Sequence, residues 1–279
     1  MKKLLSVLTS CLLAGALLTG CGDSSSGDQS MAKATVGMIT GLNMSEQQIN
    51  ATIKSINGAE LDYNVVYYDS LNTMQSGLEA GSIDEMSTYK SVADYLIARH
   101  PEFEISDKHK LKLALQDKFC CAVKSENKAL LDEINGALKS MTDDGTLESL
   151  TKKYITELKS DEEPEAIELP KFDGAETIKV AVTGDLPPLD LIRADGTPAG
   201  FNTAVLAEIG KRISRNFELV SVDSTARAAA LASDRVQLVF WVRIPHSTDL
   251  FPVAFDRPEG VDVSTEYFVD EIVHVGKKK

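Results

Sequence analysis

Thr177-Ile-Lys-Val-Ala-Val-Thr-Gly-Asp-Leu-Pro-Pro-Leu-Asp190, carried on by Asp195-Gly-Thr-Pro-Ala-Gly-Phe-Asn202, holds the key to the fold. Thr177 to Val182 reads as a strand, and Asp195-Gly196 as a hairpin turn between that strand and a helix. The helix is predicted with Asn202 as its cap and with Val205, Ile209 and Ile213 aligned on one face. The pattern then repeats. Phe217 to Val222 is a strand, Thr225 opens a helix to Ala232, and Val236 to Val242 is a strongly apolar strand.

Upstream, the same alternation runs from Lys33. Thr35 to Ile39 is a strand, and Ser45 with Gln48 forms a capping box ahead of Ile49, Ile53 and Ile56 at helical spacing. Tyr63 to Tyr68 is a second strand. Ser70 caps a helix with Met74 and Leu78 inward and Gly81 as its stop, and Ser82 to Met86 is a candidate third strand before a helix over 89–99. An apolar run ending in Val123 precedes two helical patterns, one carrying Leu130, Leu131, Ile134 and Leu138 and the other Leu147, Leu150 and Tyr154, broken by Asp144-Gly145. Residues 159–175 are acidic, proline-bearing and without period, as an interdomain linker would be. Parallel strands with helical crossovers predict doubly wound sheets, with ligands beyond the carboxyl ends of their strands. Two such units predict a cleft between two lobes.

The chain has 279 residues with Lys+Arg 29 against Asp+Glu 42, a formal net charge of −13 that argues against binding nucleic acid. Lys2 and Lys3, the apolar stretch from Leu4 to Leu18 and the small residues before Cys21 describe a signal peptide over 1–20. Removing it would leave a chain more acidic by two charges. Residues 21–32 read as a flexible tether. Cys120 and Cys121 are adjacent on a strand and point to opposite faces, which predicts two buried free thiols. The four histidines show no metal-ligand spacing, and no cofactor is expected.

Leu17-Leu-Thr-Gly-Cys21 resembles a bacterial lipobox, which implies that Cys21 is lipidated and holds the chain at a membrane. The segment 180–190, Asp195 to Asn202 and Leu206 to Ile213 resemble the first lobe of the family 3 solute-binding proteins, the amino-acid-type receptors of bacterial ABC importers. Val261-Asp-Val-Ser-Thr-Glu-Tyr-Phe268 resembles that family's segment leading to the interlobe strand, here Ile272 to Val275. Residues 33–158 are similar to the second lobe with its closing helices, through Val36-Gly-Met38, Gly81-Ser-Ile-Asp84, Ala93-Asp-Tyr-Leu96 and Leu130 to Lys153. The implied fold is α/β and bilobed, periplasmic-binding-protein-like of type II, with two doubly wound lobes joined by a hinge. Because the first-lobe pattern (176–279) follows the second, the lobe order is expected to be circularly permuted. The ends near Lys33 and Lys279 should then meet at the hinge, with 159–175 a surface connection.

The resemblance also implies a site. Family members hold a ligand carboxylate with a first-lobe arginine and helix N-terminal amides of the second lobe, and hold an amino group with a second-lobe acid. Arg257 stands at the family spacing before Val261, and Arg243, directly after the strand ending in Val242, is an equal candidate by the switch-point rule. Thr40, Gly41, Asn43, Met44 and Ser45 form the strand-to-helix turn whose amides are candidates for an anion. Tyr89 stands where the family's acid is expected and Leu189 where its aromatic is, with Asp185 a candidate negative partner. Trp241 is a candidate wall of the site. The implied function is a lipid-anchored, extracytoplasmic, monomeric receptor. It would capture a small polar metabolite, such as an amino acid or a related compound, for an ABC transporter permease, without catalysis. The alternatives are a dehydratase-like enzyme on the same fold and a sensory or interaction lipoprotein.

Overall fold

The computed structural model describes residues 33–58, 60–109, 114–158, 162–246, 251 and 255–279. The expected signal peptide, tether and Cys21 lie outside the described residues.

The capping box forms as the sequence predicts, and it starts the first helix. The Ser45 side chain accepts from Gln48 N and the Gln48 side chain accepts from Ser45 N, while Ile49 and Ile53 turn inward. An N-terminal lobe follows from β1 (Ala34–Ile39), α1 (Glu46–Asn57), β2 (Tyr63–Tyr68), α2 (Leu71–Ala80), β3 (Glu85–Tyr89), α3 (Lys90–Arg99) and β4 (Phe103–Ser106). Ser70 caps α2 and Gly81 ends it in the left-handed conformation. The third strand starts later than Ser82, because the Asp84 amide first bonds Thr35 O and its carboxylate takes Thr35 N. The strand β4 had no counterpart in the sequence reading.

The chain then crosses as β5 (Gln116–Lys124) into a C-terminal lobe and adds α4 (Lys128–Asp143) and α5 (Thr146–Thr151), the latter prolonged by a π-helical turn over Lys152–Thr156. From Glu162 onward the predicted linker is a largely exposed strap. It is pinned where Ile167 N bonds Pro198 O and where Asn216 bonds Phe172. Beyond it come β6 (Thr177–Val182), β7 (Asp185–Leu186), β8 (Asp190–Ile192), β9 (Pro198–Ala199), α6 (Phe201–Ile213) and β10 (Asn216–Ser221). A 3-10 turn over Ser224–Ala226 leads into α7 (Arg227–Ala232), β11 (Leu238–Pro245), β12 (Val261–Val263) and β13 (Phe268–Lys277).

Asn202 does not cap α6. The carbonyls of Pro188 and Leu189 already accept the amides of Phe201 and Asn202, and Asn202 instead accepts from the Tyr267 hydroxyl. Gly200 makes that approach possible: its φ is 94°, and a Cβ there would fall 2.7 Å from Pro188 O.

Each lobe has the same strand plan. In the N-terminal lobe β1 lies between parallel β2 and β3, then comes antiparallel β13, with β4 on its far side. In the C-terminal lobe β6 lies between parallel β10 and β11, then comes antiparallel β5, with β12 and the first half of β13 beyond. Each lobe therefore receives one antiparallel strand that enters from the other. The strand β13 joins the lobes physically, since Phe268–Glu271 pair with β5 and Ile272–Gly276 pair with β3.

Gly276 faces Glu85, and Glu85 faces Val36, so the end of β13 and the start of β1 share one end of the sheet with β3 between them. That is the end away from the crossing at 271–272, not the hinge, because β13 must traverse the lobe before it stops.

Candidate functional site

The carboxyl ends of the parallel strands of both lobes face each other across a cavity of about 470 Å³. That size suits a small ligand, and its position is the one doubly wound sheets favour. Among the sequence candidates, Thr40, Tyr89, Asp185, Trp241 and Arg243 line it.

Arg243 follows Val242 near the end of β11, on the strand next to β5. Burial disfavours its charge, but Tyr89, Asp256, Asp117 and Tyr67 around it outweigh burial and raise its pKa above the ordinary value. Trp241 packs against Tyr89 and Phe119, and the Arg227 guanidinium lies 4.9 Å from its ring centroid. Arg227 donates to Trp241 O at 2.6 Å, and burial lowers its pKa to about 10. The Tyr89 hydroxyl donates to Asp117 Oδ2 at 2.9 Å. Burial raises the Asp117 pKa, with Arg243 and this hydrogen bond opposing. Asp117 on β5 thus places a carboxylate at the cavity beside Tyr89.

The other candidates fall elsewhere. Leu189 is fully buried in the core and does not line the cavity, because the hairpin of β7 and β8 folds it beneath α6. Arg257 is not part of the lining; its carbonyl accepts from the Asn43 side chain. Gly41, Asn43, Met44 and Ser45 form the turn into α1 as expected, but the turn is already engaged. The amides of Leu42, Asn43 and Met44 all donate to the Asp256 carboxylate, at 2.7, 2.7 and 2.8 Å. Asp185 does similar work at α2, accepting from Leu71 N at 2.8 Å and Asn72 N at 3.4 Å, while burial raises its pKa. Both acids reach from the C-terminal lobe to the N-terminal lobe. Leu42 follows, packing against a cluster of the C-terminal lobe that includes Val222, Val239 and Val242. The two lobes are therefore clasped around the cavity.

A second polar cluster borders the cavity inside the N-terminal lobe. The Glu85 carboxylate, on β3, lies 3.1 Å from His274 Nδ1 and 3.2 Å from His109 Nδ1, and accepts from the Ser106 hydroxyl. Burial pushes its pKa up, yet the hydrogen bonds from His274, Ser106 and His109 prevail and hold it at about 2. Among the described residues, no group of His, Cys, Asp and Glu side chains is arranged to hold a metal ion.

The sequence reading missed Asp256, Asp117, Arg227 and Glu85. An acid placed at the head of β5, just before its apolar run Phe119–Val123, was the available signal for Asp117. Asp256 stands directly before Arg257, and the family spacing points to the arginine.

Two strand-exchanged α/β lobes clasped over a ligand-sized cleft define a bilobed, periplasmic-binding-protein-like architecture of type II. Residues 178–245 match the family model of the bacterial extracellular solute-binding proteins, family 3, so the likeness to that family holds over this segment, which carries β6 to β11 and with them Asp185, Trp241 and Arg243. No curated protein matches the chain. Similar solved structures include the GluR0 ligand-binding core from Nostoc punctiforme in complex with L-glutamate, at 11% identity over 88% of this chain and 85% of that one, with a TM-score of 0.38. Another is a nutrient binding protein from Burkholderia cenocepacia bound to methionine, at 10% identity over 88% and 84%, with a TM-score of 0.39.

Proposed function

We propose that this chain is a lipid-anchored receptor on the extracytoplasmic face of a membrane, closing two lobes around a small metabolite and delivering it to an ABC importer. The observation that carries this reading is the cavity of about 470 Å³ enclosed between lobes that exchange strands, with Arg243, Tyr89, Asp117 and Trp241 converging on it. Closure is a hinge motion through the strands that pass between the lobes, and ligand stabilises the closed state by its better fit there. The anchor rests on the lipobox sequence ending at Cys21, and the importer on the family match at 178–245. We also propose that the lobe order is circularly permuted. The shared strand plan of the two lobes and the register of Gly276 and Val36 on either side of Glu85 support it.

Trp241 is the chain's single tryptophan, so its fluorescence reports on the cleft. Fluorescence and melting temperature of the purified protein are followed across amino acids, short peptides, carboxylates, amides and amines. The receptor reading expects a saturable shift of both signals with one chemical class. Silence towards every class would remove it.

A further inference from the structure

Asp256 occupies a place that physical chemistry reserves for a free anion. Three consecutive amides of the turn that leads into α1 converge on its two oxygens, a nest of N–H groups that favours negative charge. Arg243 Nε lies 3.8 Å from Oδ2, and the carboxylate side chain is only 2 % exposed. The turn is shaped around it: a Cβ on Gly41 would stand 2.7 Å from one carboxylate oxygen and 2.9 Å from the other. Asp256 holds a left-handed φ of 55° to reach this position.

The rest of the wall is consistent with a site already supplied with its anion. The N-terminus of α2 is taken by Asp185, Arg227 donates to Trp241 O, and Lys90 is paired with Asp94. Of the acids, Asp117 is buried at the cleft with a tyrosine hydroxyl as its hydrogen-bond donor. A ligand carboxylate would find the amides ahead of α1 and at the start of α2 already taken and would meet Asp117 and Asp256 beside them, with Arg227 Nε and Trp241 Nε1 as buried donors that have no partner. An amine or amide head would meet acceptors, and an apolar body would meet Ile39, Leu71, Trp241 and Phe255.

We propose that Asp256 is a built-in substitute for a ligand's acidic group, and that the cleft therefore selects neutral or cationic ligands with an apolar body. The ligand class rests on the receptor reading above; the role of Asp256 does not.

The test is replacement and chemical rescue. In Asp256→Gly, glycine accepts the left-handed backbone and the carboxylate is gone, so the three amides and Arg243 become free for an external anion. Acetate is titrated against chloride at equal ionic strength, with melting temperature as the readout. The expected result is a saturable rise of a few degrees in the variant and none in the wild type. If the variant is unfolded in chloride, recovery of its fold in acetate is the expected result, and no recovery overturns the proposal. A folded variant indifferent to acetate overturns it equally. The wild type answers for ligand class: an amine or amide should shift its melting where the matched carboxylic acid does not, and an equal shift by the acid overturns the selectivity. Rescue of the variant by acetate beside a wild type silent to every compound keeps the role of Asp256 and removes the receptor reading.

Discussion

Glu85 shows what a single buried side chain costs and contributes here. It is 2 % exposed in the sheet of the N-terminal lobe, and an unpartnered carboxylate there would be expensive. His274, Ser106 and His109 supply the partners from β13, β4 and the segment after β4, and they hold the carboxyl at about 2 against an ordinary 4.5. Between those two values the unfolded chain binds a proton at this position that the native chain does not. The stabilisation is therefore complete above about 4.5 and is lost as the pH falls through about 2. Melting temperatures of the wild type and of Glu85→Gln, measured from pH 6 to pH 2, should converge on acidification. Parallel acid profiles would show that the carboxylate is not held in this way. Nothing local in Gly-Ser-Ile-Asp-Glu-Met hints at this role, since His274 lies 189 residues away. The same holds for Asp256, whose amide partners are more than 200 residues distant. Candidate residues that act from their own strand end, such as Arg243 and Trp241, were legible; residues defined by what folds against them were not.

At the level of elements, legibility followed periodicity. The strand β5 is a clean case, since alternation alone predicts opposite faces for Cys120 and Cys121. Cys121 packs with Phe119, Val123 and Tyr267 in the larger core, and Cys120 packs with Ala122, Ala181 and Val242 in the smaller one on the other side of the sheet. Both are free and buried. Burial raises the Cys120 thiol to about 12 and pushes Cys121 well above its ordinary value, so neither forms the reactive thiolate near neutral pH. A thiol reagent at pH 8 should therefore label neither cysteine in the native protein and both after unfolding in denaturant. Rapid labelling of Cys120 or Cys121 in the native protein would mean that β5 opens on its own. Helices with caps and an apolar face, such as α1 and α2, were equally readable from Ser45, Gln48, Ile49 and Met74. The short strand β4 was not, because four residues with Glu104 and an exposed Ile105 give too brief a pattern. The misplaced start of β3 has a related cause: its ladder waits until the Asp84 side chain has satisfied Thr35.

The arrangement of the whole molecule follows from two strands, β5 and β13, each leaving one lobe to become the antiparallel member of the other's sheet. The contacts that stabilise the lobes depend on this exchange and not on where the chain is cut. Gly276 and Val36 stand on either side of Glu85, two interstrand spacings apart, which is roughly 10 Å. The strands β13 and β1 run in opposite directions there, so a short loop from the end of 276–279 to the start of 33–36 passes over one strand and closes the gap. The strap at 162–175, in turn, is largely exposed and joins α5 to β6 over the surface of the C-terminal lobe. Cutting there and joining the present ends gives a chain in which 176–279 precede 33–158. Chain reordering is tolerated when the new joint is short and the old one crosses few contacts. The reordered chain should fold cooperatively, keep the exchange of β5 and β13, and give the same Trp241 response to the same compounds as the natural order. Modest loss of melting temperature is expected from the severed strap, where the Lys153–Glu165 pair and the bond from Ile167 to Pro198 are disturbed. A reordered chain that remains unfolded while the natural one folds would mean that the strap, and not the strand exchange, holds the two lobes in register.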